Sequence, residues 1–367
     1  MRRGAVRDAV DAVLIASEKP MTTTEVIRAV TQRVDQHVAP SSIRSSLSLQ
    51  AASAQSCIRQ ITRGIYFWDD GQSRAELSRK TPSFIYGNAT LHNCDAFELL
   101  AALDDSSIHA IITDPPYGLV EYDEIELSKL RSGKGGVWRK PPSFDGCTRR
   151  PLPRFTTLTC SDLERMDRFF LDLGRAFMRV LVPGANVLVA SNPLVQHHVA
   201  NSLAKAGLEP RGVVVRLVQT MRGGDRPKGH EDIYSEVSVM PRSQWEPWIC
   251  MRKPPEGTIA SNLEKWGCGG WRRPSDDKPF GDVITSSPTG KKERSIANHP
   301  SLKPQAFLRE IVKASLPLGN GIVLDPFAGS GSTLAAAQNV GYASLGSERD
   351  ESYYELAQTA IPKLARS

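Results

Sequence analysis

The stretch "TDPPYG", Thr113 to Gly118, closes the apolar run "IHAII". Two successive prolines, Pro115 and Pro116, cannot continue a hydrogen-bonded ladder, so a strand ends here in a stiff, short turn. The turn carries the carboxylate of Asp114 and the ring of Tyr117. A stiff turn bearing these suits a site that grips something flat and polar. A second stretch, "VLDPFAGSGST" at 323–333, reads as an apolar strand, an acid, a tight glycine turn and a helix start. Gly329 and Gly331 let backbone approach a ligand closely, and the amides opening the helix at Ser332 and Thr333 then face it.

The glycine turn is neither of two common phosphate loops. It lacks the third glycine of a dinucleotide fingerprint, and no lysine follows the glycines as in a P-loop. The leading acid, Asp325, suits a cationic or amine-bearing ligand instead. A second acid, Glu348, ends the next strand, "ASLGSE", where a carboxylate accepts from ribose hydroxyls. Acid, glycine turn and a second acid after one βα unit fit S-adenosylmethionine.

These stretches sit in a chain of 367 residues with 40% hydrophobic and 23% charged residues, ordinary for a soluble globular protein. No apolar run approaches the roughly 20 residues of a membrane span. The opening "MRRGAVRDAVDAVLIAS" mixes acids into its apolar stretch and reads as an amphipathic helix rather than a signal peptide, which places the protein in the cytoplasm. The six cysteines form no CxxC pair and the seven histidines no HExxH, so no metal site is expected. A net charge of +6 leans toward a polyanionic partner.

Residues 1–70 read as a separate unit of three helices and two short strands around Arg63-Gly64, a winged helix-turn-helix. Its second helix opens on Thr-x-x-Glu, a capping box. Its third presents Arg44 with Ser45, Ser48 and Gln50, a face suited to a DNA groove, with Arg63 at the wing tip. A helical unit for protein contacts is the other reading. A polar linker spans 71–84. Strands then alternate with helices, the mark of a parallel α/β sheet. Two irregular stretches interrupt it, 118–160 and 254–298, and long loops of this kind are usually functional or disordered.

Taken together, the motifs resemble the β group of amino DNA methyltransferases, in which the target-base motif precedes the cofactor motif. "DPPY" resembles the catalytic motif, "DPFAGSGST" the cofactor loop and "HPSLKP" (299–304) the HPxxKP segment upstream of it. "NCDAFELL" (93–100) resembles the Asp-containing turn at the cofactor adenine, and "WEPWICMRK" the strand closing the catalytic half. The match covers roughly 85–365. The resemblance implies a circularly permuted, Rossmann-like fold with a seven-stranded, mostly parallel sheet and an antiparallel hairpin. It divides the chain into a catalytic half at 85–253, a target-recognition region at 254–298 and a cofactor half at 299–367.

The resemblance further implies transfer of a methyl group from S-adenosylmethionine to the N6 amine of an adenine flipped out of duplex DNA at a specific site. Asp114 and the Pro115 carbonyl would accept from the amine while Tyr117 stacks on the base. Asp325 and the glycine turn would hold the methionine end, Glu348 the ribose, Asp95 and Ala96 the adenine edge, with Phe327 beside the ring. Ser301 and Lys303 would contact the methionyl carboxylate, with Lys303 as a surface lysine ahead of a helix the alternative.

Basic loop residues, Arg139, Lys140, Arg222, Arg272 and Arg273, interleaved with Trp138 and Trp271, would meet phosphates, and a tryptophan or a long side chain would fill the gap left by the flipped base. Cytosine-N4 transfer uses the same chemistry and stays open, although Asp114 in place of serine favours adenine. Cytosine-C5 transfer needs a thiol nucleophile, usually in Pro-Cys, and no Pro-Cys dipeptide occurs. A rival of another class is a DNA-binding regulator with an inert methyltransferase half. The family implies a homodimer and a bacterial or phage nucleoid setting, and leaves room for a separate restriction endonuclease.

Overall fold

The computed structural model describes residues 5–17, 21–33, 38–51, 58–62, 65–68, 82–116, 160–218, 224, 226–227, 229–297, 299 and 301–367. The N-terminal unit comprises α1 (Ala5–Ile15), β1 (Met21–Thr22), α2 (Thr23–Arg33), α3 (Pro40–Ala51), β2 (Ile58–Thr62) and β3 (Ile65–Trp68). The strands pair antiparallel in the order β1-β3-β2. Val10 and Leu14, Val26 and Val30, and Ile43 and Leu47 share the four-residue spacing that puts side chains on one helix face, and all six meet Ile58 and Tyr66 in a core of their own. The expected capping box is present. The Thr22 amide donates to Glu25 Oε2 at 2.6 Å, and the Glu25 amide donates to Thr22 Oγ1 at 3.2 Å.

The larger unit runs β4 (Ser83–Tyr86), β5 (Ala89–His92), α4 (Ala96–Ala102), β6 (Ile108–Thr113), α5 (Cys160–Val180), β7 (Leu181–Ala190), α6 (Gln196–Lys205), β8 (Glu209–Leu217) and β9 (Trp245–Arg252). It continues with α7 (Ile259–Trp266), β10 (Val283–Thr285), α8 (Lys291–Ile296), α9 (Gln305–Ser315), β11 (Ile322–Asp325), α10 (Ser332–Asn339), β12 (Ala343–Ser347) and α11 (Glu351–Leu364). One sheet takes all nine strands in the order β10-β8-β9-β7-β6-β11-β12-β5-β4. Only β9 and β4 run against the rest. β6, β7 and β11 are apolar almost throughout because helices cover both faces. Phe170, Leu173 and Phe177 of α5 with Val199 and Leu203 of α6 fill one face. Phe307, Ile311 and Val312 of α9 with Trp248 fill the other.

Several boundaries differ from the expectation. The sheet has nine strands among the described residues rather than seven, with β4 and β10 added at its two edges. Ser83 and Phe84, assigned to the linker, already pair with His92 and Leu91. The 254–298 stretch is irregular over most of its length but holds three short elements, α7, β10 and α8, and α7 is closed by Thr258, whose side chain accepts from the Ser261 amide, and by left-handed Gly267. β7 begins at Leu181, before Pro183. A register shift between Ile108 and Ala110 absorbs the extra residues, with Gly184 at φ 79° turning the chain. Arg63 and residues 117–159 lie outside the described residues.

The late strand β11 sits in the middle of the sheet, between β6 and β12 (Val323 faces Ala110, Leu324 faces Ile111 and Leu345). The chain leaves β6 toward β7 and leaves β11 toward β12, so connections diverge from this point. Crevices at the carboxyl ends of such strands hold ligands.

Arg179 of α5 ties α4 to this frame. It is buried, donates to the carbonyls of Leu100 and Leu103 (the latter at 2.7 Å) and pairs with Asp105 at 2.8 Å. Both carbonyls lie at the end of α4, where Leu100 also accepts from the Leu103 amide at 3.3 Å. Arg179→Met removes both of its bonds to them and the pairing with Asp105, and a cost of about 2–4 kcal/mol is expected. Chemical denaturation of the variant should show a lower midpoint at unchanged slope.

Candidate active site

Thr113, fully buried at the end of β6, donates through Oγ1 to Asp325 Oδ1 at 2.7 Å. This bond joins the strand end bearing Asp114, Pro115 and Pro116 to the strand end bearing the glycine turn. Pro115 is buried and Pro116 exposed, and Tyr117 lies outside the described residues. The Oδ2 oxygen of Asp114 accepts from Ser301 Oγ and from Lys303 Nζ, both at 2.8 Å.

The turn after β11 is built for close approach. Gly329 and Gly331 have φ of 52° and 78°, a region that side-chain-bearing residues rarely adopt. A Cβ on Gly331 would lie 2.4 Å from Ile361 of α11. Ser332 and Thr333, both buried, open α10 directly behind it. Asp325 is buried and also accepts from the Phe327 amide at 3.2 Å. Burial pushes its carboxyl up to about 6, against bonds from Thr113, Thr333 and Phe327 that act to lower it, while the charge of Asp114 adds to the rise.

Glu348, just beyond β12, accepts from the Gly329 amide at 2.9 Å through Oε2 and from the Asp350 amide at 2.9 Å through Oε1. Its carboxyl too is raised by burial. Asn93 donates to the Glu348 carbonyl at 2.9 Å, which holds the 93–95 turn against this strand end. There Asp95 caps α4, accepting from the Phe97 amide at 2.8 Å in a box completed by Glu98, with Ala96 buried behind it. Phe327 packs near Phe169 (6.1 Å between centroids), which stands edge-on to Phe97. Two left-handed glycines, two part- or fully buried acids and an aromatic at the carboxyl end of the central strands form a set that fits a cationic ligand carrying hydroxyls and a flat ring.

Ser301 and Lys303, read as contacts to a methionyl carboxylate, both contact Asp114. Lys303 also pairs with Glu246 Oε1 at 2.7 Å, and Glu246 Oε2 with Arg216 at 2.6 Å. His299 packs on the glycine turn, where a Cβ on Gly329 would lie 3.0 Å from its ring, and stands 4.4 Å from the Tyr353 ring. Burial holds its imidazole below the ordinary range. Its Nδ1 accepts from the Ser301 amide at 3.1 Å, so the neutral ring carries its proton on Nε2.

Sequence reasoning passed over Glu246, Arg216 and Gly346. The signal for the first two is a lone charge inside an apolar strand, in "WEPWIC" and "VVVRLV", since such charges are buried only with partners. Gly346 faces Asp325 across the ladder, and a Cβ there would lie 2.8 Å from the Asp325 carbonyl.

The residues proposed to meet DNA are scattered. Arg44 is exposed on α3 with Ser45 and Ser48, whereas Gln50 is buried and donates to Ser46 Oγ at 3.2 Å. Trp271 stacks on Phe280 with centroids 5.2 Å apart, against the core. The Arg272 amide donates to the Ala314 carbonyl at 2.9 Å and its guanidinium to Tyr342 Oη at 3.3 Å. Those partners lie at the end of α9 and ahead of β12, the opposite sheet end from Asp114. Arg273 is exposed. Arg63, Arg139, Lys140 and Arg222 lie outside the described residues. Among the described residues no three His, Cys, Asp or Glu side chains could hold a metal ion. Burial pushes the thiols of Cys250 and Cys268 up to about 12.

A family profile described as DNA methylase, N6_N4_Mtase, matches residues 108–359. The chain is similar to the Type II methyltransferase M.HindIII of Haemophilus influenzae, 25% identical over 297 residues, 73% of this chain and 93% of the relative. It is similar to the Type II methyltransferase M2.LlaDCHI of Lactococcus lactis, 24% identical over 283 residues, 77% of this chain and 92% of the relative. Among solved structures, the complex of M1.HpyAVI with S-adenosylmethionine aligns at a TM-score of 0.47 and 17% identity over 74% of this chain and 98% of that one.

Gly331→Ala should collide with Ile361 and force an unfavourable φ. The expected result is loss of S-adenosylmethionine binding by at least about tenfold, measured by calorimetry, in a protein of lowered thermal midpoint.

Proposed function

Because the chain belongs to the N6/N4 DNA methylase family, we propose that it transfers the methyl group of S-adenosylmethionine to the N6 amine of an adenine flipped out of duplex DNA at a specific site. S-adenosylmethionine is the methyl donor, and when bound it supplies an electrophilic methyl on a sulfonium. The observation that carries the reading is the Thr113–Asp325 bond, which sets an amine-accepting turn beside a ligand cradle at one sheet end.

An exocyclic amine is a poor nucleophile because its lone pair is delocalised into the ring. Asp114 and the Pro115 carbonyl accept its two hydrogens, draw the nitrogen toward tetrahedral geometry and aim its lone pair. Alignment then provides much of the rate. In this reading Asp325 faces the cationic end of the donor, Glu348 its ribose hydroxyls, Asp95 and Ala96 its adenine edge, and Phe327 the ring. Tyr117 stacks on the target base.

The chain order supports a circularly permuted fold, since strands on one side of the sheet centre precede β11 and β12. The order α1-β1-α2-α3-β2-β3, with sheet β1-β3-β2, supports a winged helix-turn-helix with Arg44 on its outward helix. DNA contacts by Arg63, Arg139, Lys140, Arg222 and Arg273, a homodimer and a separate endonuclease belong to the same reading. No helix among the described residues is long and apolar enough to cross a membrane.

The deciding experiment is methyl transfer from labelled S-adenosylmethionine to unmodified duplex DNA, followed by nucleoside analysis. N6-methyladenine is expected, with a fall of about a hundredfold or more in kcat for Asp114→Ala. N4-methylcytosine would keep the chemistry and replace the target base. Failure to methylate DNA, with the cofactor bound, would sink the reading.

Asp325 predicts a pH signature with opposite signs. Its folded value of about 6 exceeds the unfolded 3.8, so the stability it contributes is full below 3.8 and is lost as pH rises through 6. A cationic ligand needs the carboxylate, so affinity for S-adenosylmethionine should fall, toward about tenfold per unit, as pH drops below 6. Calorimetric titrations from pH 5 to 8 on wild type and Asp325→Asn check this. The variant should bind weakly with a flat profile.

A further inference from the structure

Lys303 and Glu246 belong to a chain of alternating charges that ends on Asp114. Lys303 Nζ lies 2.8 Å from Asp114 Oδ2 and 2.7 Å from Glu246 Oε1. Glu246 Oε2 meets Arg216 Nη1 at 2.6 Å. Arg216 then donates through Nε to Ser286 Oγ at 3.0 Å and through Nη2 to the Ser287 carbonyl at 2.9 Å, so every guanidinium nitrogen is engaged. Glu246 and Arg216 are register partners on β9 and β8, and the Arg216 guanidinium lies over the Phe307 ring. The four side chains from Asp114 to Arg216 are 14, 15, 17 and 7% exposed.

A lysine is a point charge on a flexible four-carbon stem and has no fixed position by itself. Held between two carboxylates, one of them anchored in the sheet through Arg216, its ammonium is fixed. Asp114 Oδ2 therefore receives two donors from fixed places, Lys303 Nζ and Ser301 Oγ, and the plane of its carboxylate is set. The same ammonium already serves two carboxylates, and the four-member chain sums to a formal charge of zero (two cations against two anions), so it leaves no surplus positive charge for a further carboxylate such as that of the methyl donor.

On the reading that this site transfers methyl groups to a DNA amine, we infer that Lys303 and Glu246 are positioning residues for Asp114, with Lys303 serving the amine acceptor and not the cofactor's carboxylate. Burying ion pairs adds little net stability in general, so the consequence of this chain is geometric. Its removal lets the Asp114 carboxylate rotate away from the amine. It also removes a cation from beside that carboxylate, which moves its protonation to higher pH.

The test compares wild type with Lys303→Met, Glu246→Gln and Ser301→Ala. Three readouts are taken: kcat on unmodified duplex DNA, the pH dependence of kcat, and the S-adenosylmethionine Kd by calorimetry. Lys303→Met should lose about tenfold or more in kcat, shift the acid limb of the profile upward and leave the cofactor Kd within about threefold. Glu246→Gln should show the same signature, weaker. A cofactor Kd raised tenfold with kcat retained at saturation would return Lys303 to the cofactor and overturn the inference, as would a folded Lys303→Met with kcat and acid limb unchanged. Where Lys303→Met does not fold, Ser301→Ala decides: it removes one bond to the same oxygen and leaves the ion chain in place. It should lower kcat and raise the acid limb, and an unmoved acid limb overturns the inference. A wild-type protein that methylates no DNA fails earlier, at the proposed function, and the inference falls with it.

Discussion

The site exists because residues 113 and 325, separated by 212 positions, lie side by side. The parallel pairing of β6 with β11 brings them there, and the bond from the Thr113 hydroxyl to the Asp325 carboxyl locks the two strand ends in register. A buried carboxyl without donors is costly, so the Thr113 hydroxyl and the Phe327 amide are conditions for Asp325 being buried at all. Closing so long a loop costs only slowly more entropy than closing a short one. The sheet can therefore draw its two central strands from distant parts of the chain, provided that helices on both faces bury what lies between.

Among the side chains of the site at this end of the sheet, four acids meet two cations, all of them buried or half-buried. Asp114, Asp325, Glu246 and Glu348 are matched by Lys303 and Arg216, a formal balance of −2. The two cations serve Asp114 and Glu246. Asp325 and Glu348 have backbone amides and hydroxyls as donors, and burial raises both carboxyls. The charge is thus divided: Asp114 is paired and held by Lys303 and Ser301, while burial dominates at Asp325 and Glu348, the latter with Arg349 as its nearby cation.

Much of this was legible in the residues. Pro115-Pro116 marked the strand end, Gly329 and Gly331 marked a turn that needs left-handed backbone, and the Thr22–Glu25 spacing marked a helix start. Each is a local rule, and each held because local chemistry decides it. What escaped depends on contacts across the sheet. Glu246 and Arg216 are opposed on β9 and β8 only once the antiparallel register is known, and Lys303 reaches Glu246 only once α9 is docked. Trp271, with its cationic neighbours, looked like a nucleic-acid residue in the chain. In the fold it stacks on Phe280, because a tryptophan beside an apolar sheet face gains more by burial than by exposure.

The spacing of "HPSLKP" has a physical reason in this arrangement. His299, Ser301 and Lys303 alternate with Leu302, which is buried against the core that includes Ala297 and Ala328. A turn closed by the Leu302 amide on the His299 carbonyl, at 3.2 Å, holds the segment short. His299 then rests on the glycine turn, Ser301 and Lys303 grip Asp114, and Gln305 donates to the Ser332 carbonyl at 3.0 Å behind the glycines. The segment 299–305 thus touches the glycine turn, proposed as the cofactor cradle, on two sides and Asp114, proposed as the amine acceptor, on one. The cradle and the acceptor cannot shift independently while it is seated. For in-line transfer, where a displacement of an ångström is costly, that rigidity is the condition the chemistry sets on the fold.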